Sequence, residues 1–199
     1  LFYASFEGGH ALASETSSLT QLEPKELIEI EPGGWIRMNE HGMQRGKLVS
    51  QKNKTSQEKF CMFEVIYFSS PQSEVKSESI YRLRFRLGVQ LAKEIEASES
   101  TVDRARELFD YVVPVPETSR TAAIAVAETL DVPYREFLVK NPYVPRTFIL
   151  NKQEERVKAL KSKLSLIGPE IKGKRVLLVD DSVVRGNTSR LMSERLREA

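Results

Sequence analysis

Two adjacent carboxylates, Asp180 and Asp181, follow an apolar run, and a small polar loop follows them: Val176–Ser189 reads VLLVDDSVVRGNTS. Gly186 permits backbone geometry that other residues resist. Thr188 and Ser189 stand where a helix is expected to begin, beside backbone N–H groups that have no partner within the helix. A helix start with such donors is an anion site. The two acids cannot serve that anion, because ionised carboxylates only accept hydrogen bonds. They suit a pair of vicinal hydroxyls, and they attract a hydrated magnesium ion. A ligand with a phosphate at one end and a diol near it is a ribose 5-phosphate. A bare Asp-Asp after a strand is equally at home in a turn or a helix cap, so the specificity lies in the whole string. A nearby stretch, GPEIKGKR (Gly168–Arg175), nearly spells a P-loop. It ends in Arg where Ser or Thr is needed and precedes a strand instead of following one, which excludes it.

The elements that must position these groups alternate along the chain. Strands are expected at Tyr111–Val115, Glu136–Lys140 and Arg175–Val179, with helices at Thr121–Leu130, Gln153–Leu164 and Thr188–Glu198. Such alternation implies an α/β fold with a parallel sheet covered by helices. VLLV shows no polar alternation, as a central strand buried on both faces requires. Ligands in these sheets bind beyond the carboxyl ends of the strands, so the loops after VVPV and VLLV matter most. Upstream, Ile80, Leu83, Leu87 and Leu91 mark an amphipathic helix over Glu78–Glu96. CMFEVIYF (Cys61–Phe68) is a continuous apolar run expected as a strand. Residues 1–58 carry short β-like pieces, Leu27–Ile30 and Trp35–Met38, and Lys47–Lys59 is polar and aperiodic, a connector.

The chain has 199 residues and a net charge of +2, too small a charge to indicate a nucleic-acid binder. No apolar run approaches the ~20 residues of a membrane helix, and the N-terminus lacks the features of a signal peptide. The single cysteine, Cys61, excludes an internal disulfide and fits a reducing, cytoplasmic setting. The chain begins at Leu1 without an initiating Met and stops soon after the polar loop, as a piece of a longer protein would.

VLLVDDSVVRGNTS resembles the phosphoribosyl pyrophosphate (PRPP) loop of type I phosphoribosyltransferases. CMFEVIYFSSP, VVPVPETSRTAA, PYREFLVKNPYVPRTFI and KGKRVLLVDDSVVRGNTS, in that order, resemble the glutamine PRPP amidotransferases. ASETSSLTQL and EPGGWIRM resemble the closing strands of that family's glutaminase domain. The resemblance implies residues 1–58 as the end of a type 2 glutamine amidotransferase domain plus connector, and 59–199 as a type I phosphoribosyltransferase domain truncated at its C-terminus. It implies a pentosyltransferase of purine synthesis, in which ammonia from glutamine displaces pyrophosphate from PRPP to give 5-phosphoribosylamine. By the same resemblance Asp180 and Asp181 hold the ribose hydroxyls and help place Mg²⁺, together with Thr118 of PETS. Ser182, Val183, Val184, Arg185, Gly186, Asn187, Thr188 and Ser189 cradle the 5-phosphate, and Lys140, Tyr143 and Arg146 belong to a flexible loop that closes over PRPP. Purine nucleotides as feedback inhibitors and a homo-oligomer are implied as well.

Three departures matter. Pro142 and Pro145 replace an arginine and a glycine of the usual loop, removing a cation and stiffening the backbone. SSPQS (Ser69–Ser73) stands where the family has an arginine and an acid. The family's glutaminase nucleophile is an N-terminal cysteine, and this chain starts at Leu1, so no glutaminase catalytic residue is assigned. Cys61 aligns with an iron–sulfur ligand of some members; a cluster needs three more cysteines, and a buried core cysteine is the expectation. His10 and His41 fall outside any motif, and the lysines Lys158, Lys161 and Lys163 read as a solvated face. Two other readings stand beside the enzyme. A PRPP-sensing regulator would need a basic helical N-terminal module, and a base-salvage phosphoribosyltransferase would lack the preceding glutaminase-like strands.

Overall fold

The computed structural model describes residues 1–39, 42–48, 60–97, 105–143 and 164–199. These fall into two units, Leu1–Tyr81 and Arg82–Ala199.

The first unit is built by antiparallel pairing. Strand β1 (Phe2–Phe6) turns through Glu7 and Gly8, at φ +95°, into β2 (Gly9–Ala13). After the short helix α1 (Ser17–Thr20), β3 (Glu26–Glu29) adds to the other side of β1, giving the order β2-β1-β3. Tyr3 is buried in the central strand, and its hydroxyl shares a 2.7 Å hydrogen bond with His10 Nδ1. A hairpin of β4 (Gly34–Asn39) and β5 (Gly42–Lys47) follows, so both expected β-like pieces are strands. The unit ends with the two-residue strands β6 (Glu74–Val75) and β7 (Glu78–Ser79). The Glu15 carboxylate ties down the segment before them, accepting the Ser70 N–H and the Ser73 hydroxyl, each at 2.7 Å.

The apolar run Cys61–Phe68 is not the expected strand. It coils, with Glu64–Phe68 as a π-helix whose Glu64 carbonyl accepts the Ser69 N–H at 2.9 Å. Only Val65 of the π-helix is buried, whereas a strand covered on both faces would bury most of its side chains. A short apolar run has no periodicity that separates strand from helix. Cys61 lies exposed at its start, which corrects the expectation of a core cysteine.

The second unit follows the α/β expectation. In chain order it holds α2 (Ile80–Ala97, begun at the unit boundary), α3 (Ala105–Leu108), β8 (Tyr111–Pro114) and α4 (Arg120–Leu130). Then come β9 (Leu138–Lys140), β10 (Leu164–Leu166), α5 (Gly168–Ile171), β11 (Val176–Val179) and α6 (Asn187–Glu198). Strands β8 and β11 are parallel and in register from Tyr111↔Val176 to Pro114↔Val179. Residues 133–135 run along the other side of β8 in the same direction, through Val112 N–H to Pro133 O and Arg135 N–H to Val112 O, both 2.9 Å.

Side chains alternate across this sheet and bury both faces. Val112 and Val179 join Ala92, Ala123, Val126 and Leu130 of the α2 and α4 helices on one face. Val113 and Val115 join Phe137, Leu138, Leu164, Leu191 and Met192 on the other. Gly88 lets α2 lie close on α4, because a Cβ there would collide with the Ala122 carbonyl. One expected element changes character: β9 is shorter than Glu136–Lys140 and pairs antiparallel with β10, from Lys140↔Leu164 to Leu138↔Leu166. Leu164, expected to end a helix, begins that strand; the rest of Gln153–Leu164 lies outside the described residues.

Candidate functional site

Because β8 and β11 are parallel neighbours, their carboxyl ends deliver two loops to one edge of the sheet. After β8 come Pro116–Ser119; after β11 come Asp180–Gly186. Ser119 is buried, and its hydroxyl turns back to the Val115 carbonyl, which fixes the first loop at its root. Thr118, next to it, donates its hydroxyl to Asp181 Oδ2. Ser182 Oγ donates to Asp181 Oδ1 at 2.7 Å, and the Asp181 N–H donates to Asp180 Oδ1 at 2.9 Å. The structure therefore brings together Thr118, Asp180, Asp181 and Ser182, which are 62 or more positions apart across the two loops.

Both acids are half-buried. Burial, and then the neighbouring Asp181 charge, push the Asp180 carboxyl up from its ordinary value to about 6, against the opposing effect of the Asp181 N–H. Asp180 is thus a carboxylate whose surroundings do not compensate its charge. Each Asp181 oxygen already accepts one hydroxyl, and a carboxylate with about four lone-pair sites retains room for more.

The second loop is open. Val183 and Val184 are 71% and 73% exposed. Gly186 adopts φ +71°, the left-handed conformation that disfavours any Cβ, and space around it is free, so geometry rather than crowding requires the glycine. Helix α6 starts at once: Arg190 N–H makes its bond to Gly186 O at 2.9 Å, leaving the N–H groups of Asn187, Thr188 and Ser189 ahead of the first intrahelical bond. Arg185 is exposed in the same turn.

Lys140 is exposed at the end of β9, and Tyr143 is 92% exposed in a turn where its N–H donates to Asn141 Oδ1 at 3.0 Å. Arg146 and Pro145 lie outside the described residues. Cys61 belongs to the other unit, and the described residues contain no group of three or more His, Cys, Asp or Glu placed to hold a metal.

One arrangement beside the site has no signal in the sequence. Arg120, the first residue of α4, donates from Nη1 to Glu117 Oε2 and from Nη2 to Glu136 Oε2 at 3.0 Å. Glu136 Oε1 accepts the Tyr134 hydroxyl at 2.8 Å. Burial foremost, and that carboxylate next, hold the Tyr134 phenol protonated well beyond its ordinary range. Arg120 Nε is buried without a partner among the described residues. The 16-residue step from Arg120 to Glu136 matches no helix or strand period, so only the fold joins them.

A concavity of about 710 Å³ lies at the opposite end of β8, lined by Arg106, Phe109, Asp110, Glu128, Asp131 and Tyr134 among others. Its charged groups are mostly committed already: Arg106 pairs with Asp131, and Asp110 is held by Arg175 through N–H and guanidinium bonds.

The sequence model of the phosphoribosyl transferase domain matches residues 87–199. The amidophosphoribosyltransferase of Methanothermobacter thermautotrophicus is 38% identical over 189 residues, covering 94% of this chain and 37% of its own length. That of Bacillus subtilis is 38% identical over 190 residues, covering 96% of this chain and 37% of its own. A solved structure of the glutamine PRPP amidotransferase from B. subtilis, complexed with ADP and GMP, superposes with a TM-score of 0.77 at 37% identity, over 99% of this chain and 40% of that one. The chain thus spans well under half the length of these relatives. No helix among the described residues is long and apolar enough to cross a membrane. Two parallel strands ending in a hydroxyl loop and a paired-acid loop are thereby placed in a known lineage: the chain belongs to the phosphoribosyl transferase domain family, with likeness to the amidophosphoribosyltransferases that extends through the residues preceding that domain.

Proposed function

We propose that this chain forms the PRPP-binding part of an amidophosphoribosyltransferase, which transfers ammonia derived from glutamine to C1 of PRPP in purine synthesis. The observation that supports it best is the meeting of Thr118, Asp180 and Asp181 beside the open, glycine-started turn into α6. Asp180 and Asp181 accept the ribose hydroxyls. The N–H groups of the Ser182–Ser189 segment and the hydroxyls of Thr188 and Ser189 receive the 5-phosphate at the helix start. The pyrophosphate then extends toward the loop after β8.

A magnesium ion fits the donor set, for Mg²⁺ typically takes one or two carboxylates and completes its shell with water and substrate phosphates. Asp180, Asp181 and Thr118 would hold it, and its charge would offset that of the departing pyrophosphate. Asp180 supplies a second reason: its half-buried charge lacks compensation in the protein alone. In the reaction a C1–N bond forms as the C1–O bond to pyrophosphate breaks. No side-chain nucleophile is required, so the residues contribute position and electrostatics. Lys140, Tyr143 and Arg146 belong to a segment proposed to close over the ligand, and the Lys140 and Arg146 cations suit its charge. Purine nucleotides as inhibitors, a homo-oligomer and a cytoplasmic setting complete the proposal; ADP and GMP in the B. subtilis structure support the first.

Calorimetric titration with PRPP and Mg²⁺ tests the reading. Magnesium-dependent heat is expected, and it is expected to vanish in Asp180→Asn/Asp181→Asn. Heat that is absent, or unaffected by the double substitution, would remove the assignment.

A further inference from the structure

We infer that Arg120 is a positioning residue for the pyrophosphate end of the site, clamping the Glu117–Ser119 loop so that the Thr118 hydroxyl is held at Asp181. The inference rests on the PRPP reading of the site and adds a residue to it. Thr118 sits in a short loop between the end of β8 and the start of α4. On its inner side the loop is held by Thr118 to Asp181 and by Ser119 to Val115 O. On its outer side the only charged anchor among the described residues is Arg120, which grips the Glu117 carboxylate.

Arg120 can act as a clamp because its second nitrogen is fixed elsewhere. Nη2 reaches Glu136 at 3.0 Å, and Glu136 is in turn held by the Tyr134 hydroxyl at 2.8 Å. Tyr134 lies in the stretch bridged to Val112 of β8, so the far end of the chain of bonds is anchored to the sheet. A guanidinium presents its donors in a rigid fork and can bridge two carboxylates at once, which a lysine ammonium on its flexible stem does poorly. The same cation has an electrostatic consequence. Glu117 and Glu136 would otherwise place two negative charges next to the loop that meets the pyrophosphate, and Arg120 offsets one of them.

A clamp acting only on that end has a signature that general destabilisation lacks. In Arg120→Met, affinity for PRPP with Mg²⁺ is expected to fall about tenfold, the effect of losing a charge-assisted bond that fixes geometry. Affinity for ribose 5-phosphate, which engages the acids and the α6 turn but carries no pyrophosphate, is expected to change less than about twofold. Arg120→Lys is expected to recover part of the loss, and Glu136→Gln to reproduce part of it. Because Arg120→Met also removes a buried Nε without a partner, its melting temperature is expected to stay close to that of the parent. Unchanged PRPP affinity in Arg120→Met overturns the clamp. Equal weakening of both ligands also overturns it, since that marks a structural defect. A parent protein that binds neither ligand defeats the PRPP reading and the clamp with it. A parent that binds, loses binding in Asp180→Asn/Asp181→Asn and keeps it in Arg120→Met retains the reading and loses only the clamp.

Discussion

The two ends of β8 differ in what their polar groups are doing. At the amino end lies a hollow of about 710 Å³, yet Arg106 is matched by Asp131 and Asp110 by Arg175. At the carboxyl end Asp180 carries a charge its surroundings do not compensate and α6 opens with N–H groups ahead of its first internal bond. Volume marks where the chain fails to fill space. Unmet hydrogen-bonding and charge mark where a ligand gains free energy by arriving, because each desolvated group left unpaired costs about 1–3 kcal/mol. The second criterion points to the carboxyl end, and parallel strands lead to the same edge.

The sharpest way to break this contrast is to perturb each end separately. Asp180→Asn/Asp181→Asn is expected to reduce magnesium-dependent PRPP affinity by a hundredfold or more, on the order of 3 kcal/mol for two charge-assisted contacts and the ion they place. Phe109→Ala at the hollow is expected to leave that affinity within about twofold, since the site lies at the other end of the strand. Calorimetry on both proteins decides it; comparable losses would abolish the distinction between the ends.

A smaller effect isolates the turn from the acids. Gly186→Val places a β-branched side chain at φ +71°, which costs about 1–2 kcal/mol of backbone strain. Affinity for inorganic phosphate and for ribose 5-phosphate is expected to drop about tenfold as the turn relaxes away from its anion-holding shape. Gly173, also at φ +71° but in the turn before β11, provides the control: Gly173→Val is expected to lower the melting temperature similarly and leave phosphate binding intact.

How much of this was readable in the residues depends on whether the signal was local. VLLV declares a strand because all four of its side chains are apolar, and β11 is one, but not the central, fully buried strand expected. Among the described residues it pairs only with β8, and of its four side chains only Val179 is buried, the others being half-buried against the two clusters. Asp180, Asp181 and Gly186 declare their loop only through the whole string of strand, paired acids, glycine and Thr-Ser, since acids and a glycine alone also suit a plain turn. The run CMFEVIYF was misleading, since seven apolar or aromatic residues around Glu64 satisfy a strand and a coil equally and the deciding fact, that only Val65 of its π-helix is buried, is tertiary. The antiparallel pairing of β9 with β10 and the Arg120–Glu136 bridge were invisible for a related reason: they join segments whose separation follows no period.

The smallest expected effect concerns pH and sharpens the contrast from the side of stability. Asp180 has a folded-state value near 6, above its ordinary 3.8, so the folded chain holds this proton more tightly than the unfolded chain does. Stability from this group is therefore fully present below about pH 4 and is lost as pH rises through about 6. Because the carboxyl is only partly buried, the loss at neutral pH is discounted to about 1 kcal/mol, or roughly 2–4 °C in melting temperature. Asp180→Asn is expected to be more stable than the parent by that amount at pH 7.5, and the difference is expected to shrink toward zero at pH 4. At the other end of β8 the sign reverses: Asp110 is held below its ordinary value by Arg175, so Asp110→Asn is expected to destabilise slightly at pH 7.5. Melting curves at the two pH values measure both. A parent no less stable than Asp180→Asn at pH 7.5 would mean that the protein has already neutralised this charge, and the carboxyl end would then hold no unmet acid for a metal ion to relieve.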